Sequence, residues 1–285
     1  MDLRIDSSSE LPLDLEAVTK DLRSPDPVAY PELAGYSREE IYHDCFGGGA
    51  LYLAARMVRT MTLRPGDIVL DLGCGKGETS VFLARHYGVQ VIAVDLWTPA
   101  GLLHEKLVAR GYRERVVPLN LDITGRLPFA EAYFDAIFCM NSFSFYGGSL
   151  DFLSHLLPHL KRGGQLCIGS EVLSDEFTAA QLEHPPLVYS FRLPPPNEAI
   201  DVFEDDFRKQ HTPRWWEELL ERSGMLEVEQ CHELEDAGVL YEDLVRYEHD
   251  FGVDPFDVQI SLQQIEWGKA NRPHKSLFTL TAHKL

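Results

Sequence analysis

Short runs of branched and large apolar residues recur along the first two thirds of the chain, each closed by a turn signal. Asp67-Ile-Val-Leu-Asp71, Gln90-Val-Ile-Ala-Val-Asp95, Val116-Val-Pro-Leu-Asn-Leu121, Asp135-Ala-Ile-Phe-Cys139 and Gln165-Leu-Cys-Ile-Gly169 have strand length. Their nearly unbroken apolar character predicts strands covered on both faces. Residues 78–87, 100–111 and 150–161 lie between them and have helical length. Pro158 should bend or end the third of these early, and Gly163-Gly164 offers a stop after it. The alternation predicts an α/β fold with a doubly wound, mostly parallel sheet, whose ligand crevice opens at the carboxyl ends of the strands.

Past Gly169 the pattern breaks into an acid-rich stretch with the proline clusters Pro185-Pro186 and Pro194-Pro195-Pro196, which reads as an inserted lid. Regular signals return at Thr212, an N-cap followed by Pro213 at the first helical position, and that helix should stop at Gly224. Two further strands are predicted, Met225 to Cys231 and Leu277 to His283, with a mostly helical stretch between them. The first residues also look helical, especially Arg38 to Met61, with a break at Gly47-Gly48-Gly49. The expected organisation is a helical N-terminal cap over 1–60, a ligand-binding core over 61–172, an acidic, proline-rich lid over 173–212, and over 213–285 the C-terminal part of the sheet with a helical insertion near 238–270.

Composition narrows the partners. The formal net charge is −19, which opposes a polyanionic backbone and favours a small substrate, neutral or cationic, over nucleic acid. The five cysteines include no C-x-x-C pair and read as reduced. No window approaches the roughly 18 to 20 apolar residues of a membrane span, and the N-terminal stretch lacks the pattern of a secretory signal, so a cytoplasmic location without a membrane partner is expected. His155 and His159 have the i, i+4 spacing of a metal pair but no third ligand at a known spacing, and no metal is expected.

The stretch Val69-Leu-Asp-Leu-Gly-Cys-Gly-Lys-Gly-Glu78 carries the most chemistry. Its glycines at every second position allow a tight turn and close ligand approach. A dinucleotide fingerprint would place the third glycine later and rest a pyrophosphate on the helix N-terminus, where Glu78 stands instead. Asp71 is suited to orient the ammonium of an amino-acid ligand. Asp95, ending the next strand, suits a pair of ribose hydroxyls, and Asp122 an adenine amino group. Asn141 and Ser142 belong on the opposite rim.

These residues resemble the class I S-adenosylmethionine-dependent methyltransferases. Asp71-Leu-Gly73-Cys-Gly75-Lys-Gly77, Asp95, Asp122 and the approach to the fifth strand, Leu156-Leu-Pro-His-Leu-Lys-Arg-Gly-Gly-Gln-Leu166, carry the likeness over roughly residues 60–170. It implies a seven-stranded sheet with its last strand antiparallel and S-adenosyl-L-methionine as cofactor. It further implies that Gly73, Gly75 and Gly77, with Cys74 among them, pack against the methionine part. Asp95 would bind ribose, Leu96 would lie beside adenine, and Asp122 with Ile123 would meet it. Asn141-Ser-Phe-Ser-Phe-Tyr-Gly147 looks like the fourth-strand segment of small-molecule members, in which an aromatic faces the transferred methyl. The N/D-P-P-Y/F motif of nucleic-acid amino methylases is lacking, since the corresponding positions read Met140-Asn-Ser-Phe143.

Methyl transfer from a sulfonium needs alignment and exclusion of water more than a fixed catalytic group, so the catalytic candidates come from the segments around the strand ends. They are Tyr42 and His43 before the glycine break, Tyr146 and Glu171 from the sheet rim, and His211 from the lid, with His43 preferred as base. Two other readings stay open on sequence: an NAD(P)-dependent oxidoreductase of Rossmann type, and an inert cofactor-binding interaction protein. A homodimer also stays open.

Overall fold

The computed structural model describes residues 19–42, 49–183, 209–252, 258, 261, 262, 265, 268, 269 and 271–285. His43, Gly47, Gly48 and the larger part of the expected lid lie outside these residues. The strands are β1 (Ile68–Leu72), β2 (Gln90–Asp95), β3 (Val116–Asn120), β4 (Phe134–Met140), β5 (Leu160–Leu173), β6 (Leu226–Glu233) and β7 (Lys275–Lys284). They form one seven-stranded sheet in the order β3-β2-β1-β4-β5-β7-β6. β1 pairs in parallel with both β2 and β4, and the parallel set continues to β3 on one side and β5 on the other. β6 and β7 are antiparallel. This is the expected doubly wound sheet. The chain moves outward from β1 to β3 and then returns to β4, so the direction of winding reverses between β1 and β4, where such sheets open a crevice.

The helices are α1 (Arg38–Tyr42), α2 (Ala50–Met57), α3 (Glu78–Tyr87), α4 (Ala100–Ala109), α5 (Leu150–Leu156), α6 (Ala179–Glu183), α7 (Pro213–Arg222) and α8 (Ala237–Asp250). α3 is bracketed by left-handed glycines, Gly77 at φ 82° and Gly88 at φ 70°, and Gly88 N–H donates to Ala84 O to close its end. α5 begins at Ser149, whose hydroxyl accepts from Phe152 N–H at 3.1 Å.

β5 departs from the sequence expectation. It begins at Leu160, not Gln165, and Gly163-Gly164 stand inside the strand instead of ending a helix. The register passes from Phe134↔Leu160 to Ala136↔Gln165, so five residue steps on β5 oppose two on β4. A Cβ on Gly164 would fall 2.7 Å from the Asp135 carbonyl, so only glycine fits the bulge. The preceding helix stops at Leu156 and gives way to a 3₁₀ turn through Pro158, whose ring cannot continue α-helical bonding.

The chain divides into two compact units. One consists of Asp26–Glu171, Pro213–Leu234 and Leu277–Leu285, and the other of the described parts of Met1–Pro25, Val172–Thr212 and Glu235–Ser276. The first holds the glycine loop. The second is stitched by Glu242 on α8, which accepts from Arg23 N–H, Nε and Nη2 at 2.8–2.9 Å, and by Asp243, which accepts from Ser24 at 2.6 Å. Among the described residues no helix is long and apolar enough to cross a membrane.

In the first unit Glu78 is 1% exposed, and it receives Arg110 Nη1 while Lys106 Nζ lies 3.3 Å away. Arg110 also reaches Glu40 of α1 at 3.0 Å. The acid at the start of α3 is therefore neutralised by α4 and presents little net negative charge to a neighbouring phosphate. Glu78→Gln should destabilise the protein by about 2 kcal/mol, because it strips a buried partner from Arg110. Chemical denaturation checks this, and an unchanged midpoint would show the pair to be energetically idle.

Candidate functional site

The loop after β1 is held from below and from both sides. Gly73 N–H and Cys74 N–H both donate to Val94 O, at 2.8 and 3.0 Å. Gly73 has φ 67°, and a Cβ there would lie 2.2 Å from Ser142 Oγ. At Gly77 the same position is filled by Leu103 of α4, 2.4 Å from the ideal Cβ. Glycine at these two places lets β4's loop and α4 close on the turn.

Asp71 lies under the loop, 1% exposed. Its Oδ2 accepts from Ser80 Oγ at 2.6 Å and Thr79 Oγ1 at 2.8 Å, two hydroxyls from the first turn of α3. Its Oδ1 is buried with no hydrogen-bond partner among the described residues. Burial pushes the Asp71 pKa up to about 6, against the pull of the two hydroxyls, and the Asp95 charge adds to the rise. A buried carboxylate with one unused oxygen calls for a donor, and a cation most of all.

Asp95 holds the second side. Oδ2 accepts from Gly75 N–H at 2.9 Å, and Oδ1 from Trp97 and Thr98 N–H at 2.8 and 2.7 Å. Asn120, at the end of β3, donates its amide to the carbonyls of Asp95 and Leu96 at 3.0 and 2.8 Å. The loop from Asp95 to Thr98 is thus fixed by two side chains, while Leu96 itself stays exposed.

The third side comes from β4. Asn141 adopts φ 58°, in the left-handed region that asparagine tolerates, and its N–H donates to Gly169 O at 2.7 Å. Ser142 donates to Leu72 O at 2.9 Å, so toward Tyr146, 2.8 Å away, it serves as acceptor and the Tyr146 hydroxyl donates. Cys139 Sγ lies 3.0 Å from Ser142 Oγ and 3.1 Å from Tyr146 Oη. Burial and the neighbouring Cys139 hold the Tyr146 pKa well above its ordinary value. The phenol stays protonated at neutral pH and cannot serve there as a base. Burial likewise keeps the Cys74 thiol protonated, which fits a small filler inside the loop.

Phe143 anchors this third side. It is fully buried among Tyr146, Phe152 and Trp216, with ring centroids 5.8, 6.2 and 5.8 Å away. Phe143→Ala should cost about 3–4 kcal/mol and loosen the whole Ser142–Tyr146 turn. Denaturant titration reads the first effect, and a loss below about 1 kcal/mol would contradict the anchoring role.

The structure therefore brings Asp71, Gly73, Cys74, Gly75, Asp95, Asn141 and Tyr146 together around one loop. Asp122 is exposed, and its Oδ1 closes a turn by accepting from Thr124 N–H and Oγ1 at 2.9 and 2.7 Å. Those bonds lower its pKa. Ile123 beside it is buried. Glu171 lies near the carboxyl end of β5, beyond the Met140↔Gly169 pair. Tyr42 is buried at the end of α1 against Tyr52, with Arg38 over its ring. His211 belongs to the second unit, where its Nδ1 is 2.9 Å from Glu176 Oε2. Sequence reasoning missed Thr79, Ser80 and Asn120. Small hydroxyl residues in the first helical turn after a strand-end acid were a readable signal for the first two.

A doubly wound sheet with an acid under a glycine loop and a second acid at the next strand end defines a nucleotide-binding α/β protein. Residues 69–164 match a family described as "Methyltransferase domain". Over 132 residues the chain is 28% identical to a malonyl-[acyl-carrier protein] O-methyltransferase from Herminiimonas arsenicoxydans, covering 46% of this chain and 47% of that protein. The chain spans about half the length, or less, of the curated relatives it matches. Among solved structures, geranyl diphosphate C-methyltransferase from Streptomyces coelicolor A3(2), in complex with Mg2+, geranyl diphosphate and S-adenosyl-L-homocysteine, superposes with TM-score 0.58 at 15% identity, covering 82% of this chain and 80% of that one. Haemonchus contortus phosphoethanolamine N-methyltransferase 2, bound to phosphomonomethylethanolamine and S-adenosylhomocysteine, gives TM-score 0.64 at 16% identity, covering 90% and 56%. Residues 69–164 carry a methyltransferase domain, and the seven-stranded sheet has the fold of the methyltransferases it superposes on.

Proposed function

We propose that this protein transfers a methyl group from S-adenosyl-L-methionine to a small molecule, neutral or cationic. The observation that carries the reading is the buried Asp71 with one oxygen unpartnered beneath the glycine loop. The cofactor's ammonium supplies what that oxygen lacks, and a nicotinamide dinucleotide has no such group. The donor set fits the remainder of the cofactor. Asp95 offers ribose hydroxyls a carboxylate already fixed by three backbone N–H groups, and Leu96 presents an apolar surface for adenine, with Asp122 and Ile123 beyond.

When bound, the cofactor brings an activated methyl on a sulfonium. The chain's residues then have to orient and exclude water. The Ser142–Tyr146 turn is placed against Gly73 by the Ser142 bond to Leu72 O, and its phenol is held protonated as a neutral polar wall facing the loop. A base is required only for a protonated acceptor, and within the first unit Tyr42 and Glu171 remain candidates for it. The net charge of −19 supports a small acceptor over a polynucleotide.

The test is turnover with methyl-deuterated S-adenosylmethionine in fractionated metabolite extracts, read by mass spectrometry. A metabolite gaining the labelled methyl only with active protein supports the proposal. Cofactor binding without any labelled product across fractions from the source cells would favour the inert binding protein.

A further inference from the structure

Trp97 and Phe145 stand out against the rest of the crevice. Trp97 is 71% exposed and Phe145 41%, yet their rings meet edge to face with centroids 6.2 Å apart and planes at 73°. They come from different loops, Trp97 from the one after β2 and Phe145 from the one after β4. Those two strands flank β1, so the contact between their loops spans the carboxyl end of β1, where the glycine loop lies.

The bonds already described make the arrangement a closed circuit. Gly73 is met by Ser142, Ser142 by Tyr146, and Phe145 adjoins Tyr146. Phe145 touches Trp97, Trp97 N–H is held by Asp95, and Asp95 returns to Gly75. Neither backbone is loose. Asp95 and Asn120 fix the Trp97 side, and the buried Phe143 fixes the other. A large indole kept largely in water on a pinned loop gains little for the fold. Its position makes sense if it covers a ligand lying between Asp71 and Asp95.

We infer that Trp97 and Phe145 form an aromatic clasp across the mouth of the crevice, which parts to admit S-adenosylmethionine and closes behind its ribose. The inference rests on the proposed cofactor. It assigns retention of the cofactor to two residues outside the glycine motif and the strand-end acids. Each ring opens by side-chain rotation, because the contact between the two loops is made by side chains at the surface.

Surface plasmon resonance on the immobilised full chain, with S-adenosylhomocysteine as probe, measures the release rate directly. Trp97→Ala and Phe145→Ala should each speed release by roughly tenfold, as expected for loss of an aromatic pair and the cover it gives. The double variant should be no faster than either single one, because both remove the same contact. Trp97→Phe keeps the edge-to-face pair and should release at the wild-type rate. Trp97 is largely exposed and Phe145 partly so, and the variants should melt within a few degrees of the wild type, which circular dichroism verifies. Release within twofold of wild type in both alanine variants, or additive acceleration in the double one, would overturn the clasp while leaving the functional reading intact. Absence of binding to the wild-type chain would sink that reading and the clasp together.

Discussion

Asp71→Asn is expected to abolish S-adenosylmethionine binding while raising the melting temperature of the ligand-free protein. The two effects have one origin. Burial raises the Asp71 pKa from 3.8 to about 6 in the folded chain, so the native state holds a proton there more tightly than the unfolded one. Its contribution to stability is fully present below pH 3.8 and is lost as pH rises through about 6. At neutral pH the free protein therefore carries an ionised, half-satisfied carboxylate at a cost of about 3 kcal/mol. Asparagine removes the charge and can still accept from Thr79 and Ser80, though its amide introduces a donor without a partner. The net gain should be about 1–2 kcal/mol, visible as a higher melting temperature at pH 7.5 and as a gain that vanishes near pH 4. Binding moves the other way. Without the negative charge the ammonium enters a buried site with no counter-ion, and affinity should fall by at least about a hundredfold. In the wild type, affinity for S-adenosylhomocysteine, which carries the same ammonium, should weaken as pH drops below about 6, because protonated Asp71 no longer attracts it. A destabilised Asp71→Asn variant that still binds tightly would contradict both halves.

Asp95→Ala should also remove binding, but with the opposite effect on the free protein. Here the carboxylate is satisfied before any ligand arrives, by the N–H groups of Gly75, Trp97 and Thr98. Alanine leaves three backbone donors of two loops without their shared acceptor, at a cost of about 2–3 kcal/mol. The ribose loses its acceptor and the Trp97 loop loses one of its two pins, so a hundredfold or greater loss of affinity is expected on the same arithmetic. Thermal unfolding and calorimetry on the pair of variants separate the roles. Asp71 holds strain that the ligand relieves, and Asp95 is a structural hub that the ligand borrows. A melting temperature for Asp95→Ala equal to the wild type would show the three amides to be satisfied elsewhere.

The sheet was legible because buried parallel strands read as continuous apolar runs. Val69, Leu70 and Leu72 are fully buried, and β2 matches its predicted bounds of Gln90 to Asp95. β5 was misjudged for a local reason. Two glycines after a helical run look like a stop, and nothing in their composition distinguishes a stop from a bulge pressed against the Asp135 carbonyl. The strand-end acids were legible as positions, but their partners were not. Whether Asp71 is half satisfied and Asp95 fully so depends on how α3 and the Trp97 loop fold back, a matter of tertiary geometry. Glu78 shows the limit most clearly. Its place at a helix start suggested a charge facing the crevice, and only the packing of α4 reveals that Arg110 and Lys106 compensate it. The catalytic candidates were the least legible, since sulfonium methyl transfer imposes no fixed residue type, and Tyr146 was readable as an aromatic at the right strand but not as a phenol locked in its protonated form.

Isothermal titration calorimetry of the full chain at pH 7.5 tests the central claim most directly, with S-adenosylmethionine, S-adenosylhomocysteine and NADH titrated in turn. One equivalent of either sulfur ligand should bind with micromolar affinity and NADH should give no heat. Silence with both sulfur ligands, or saturable binding of NADH, would contradict the account.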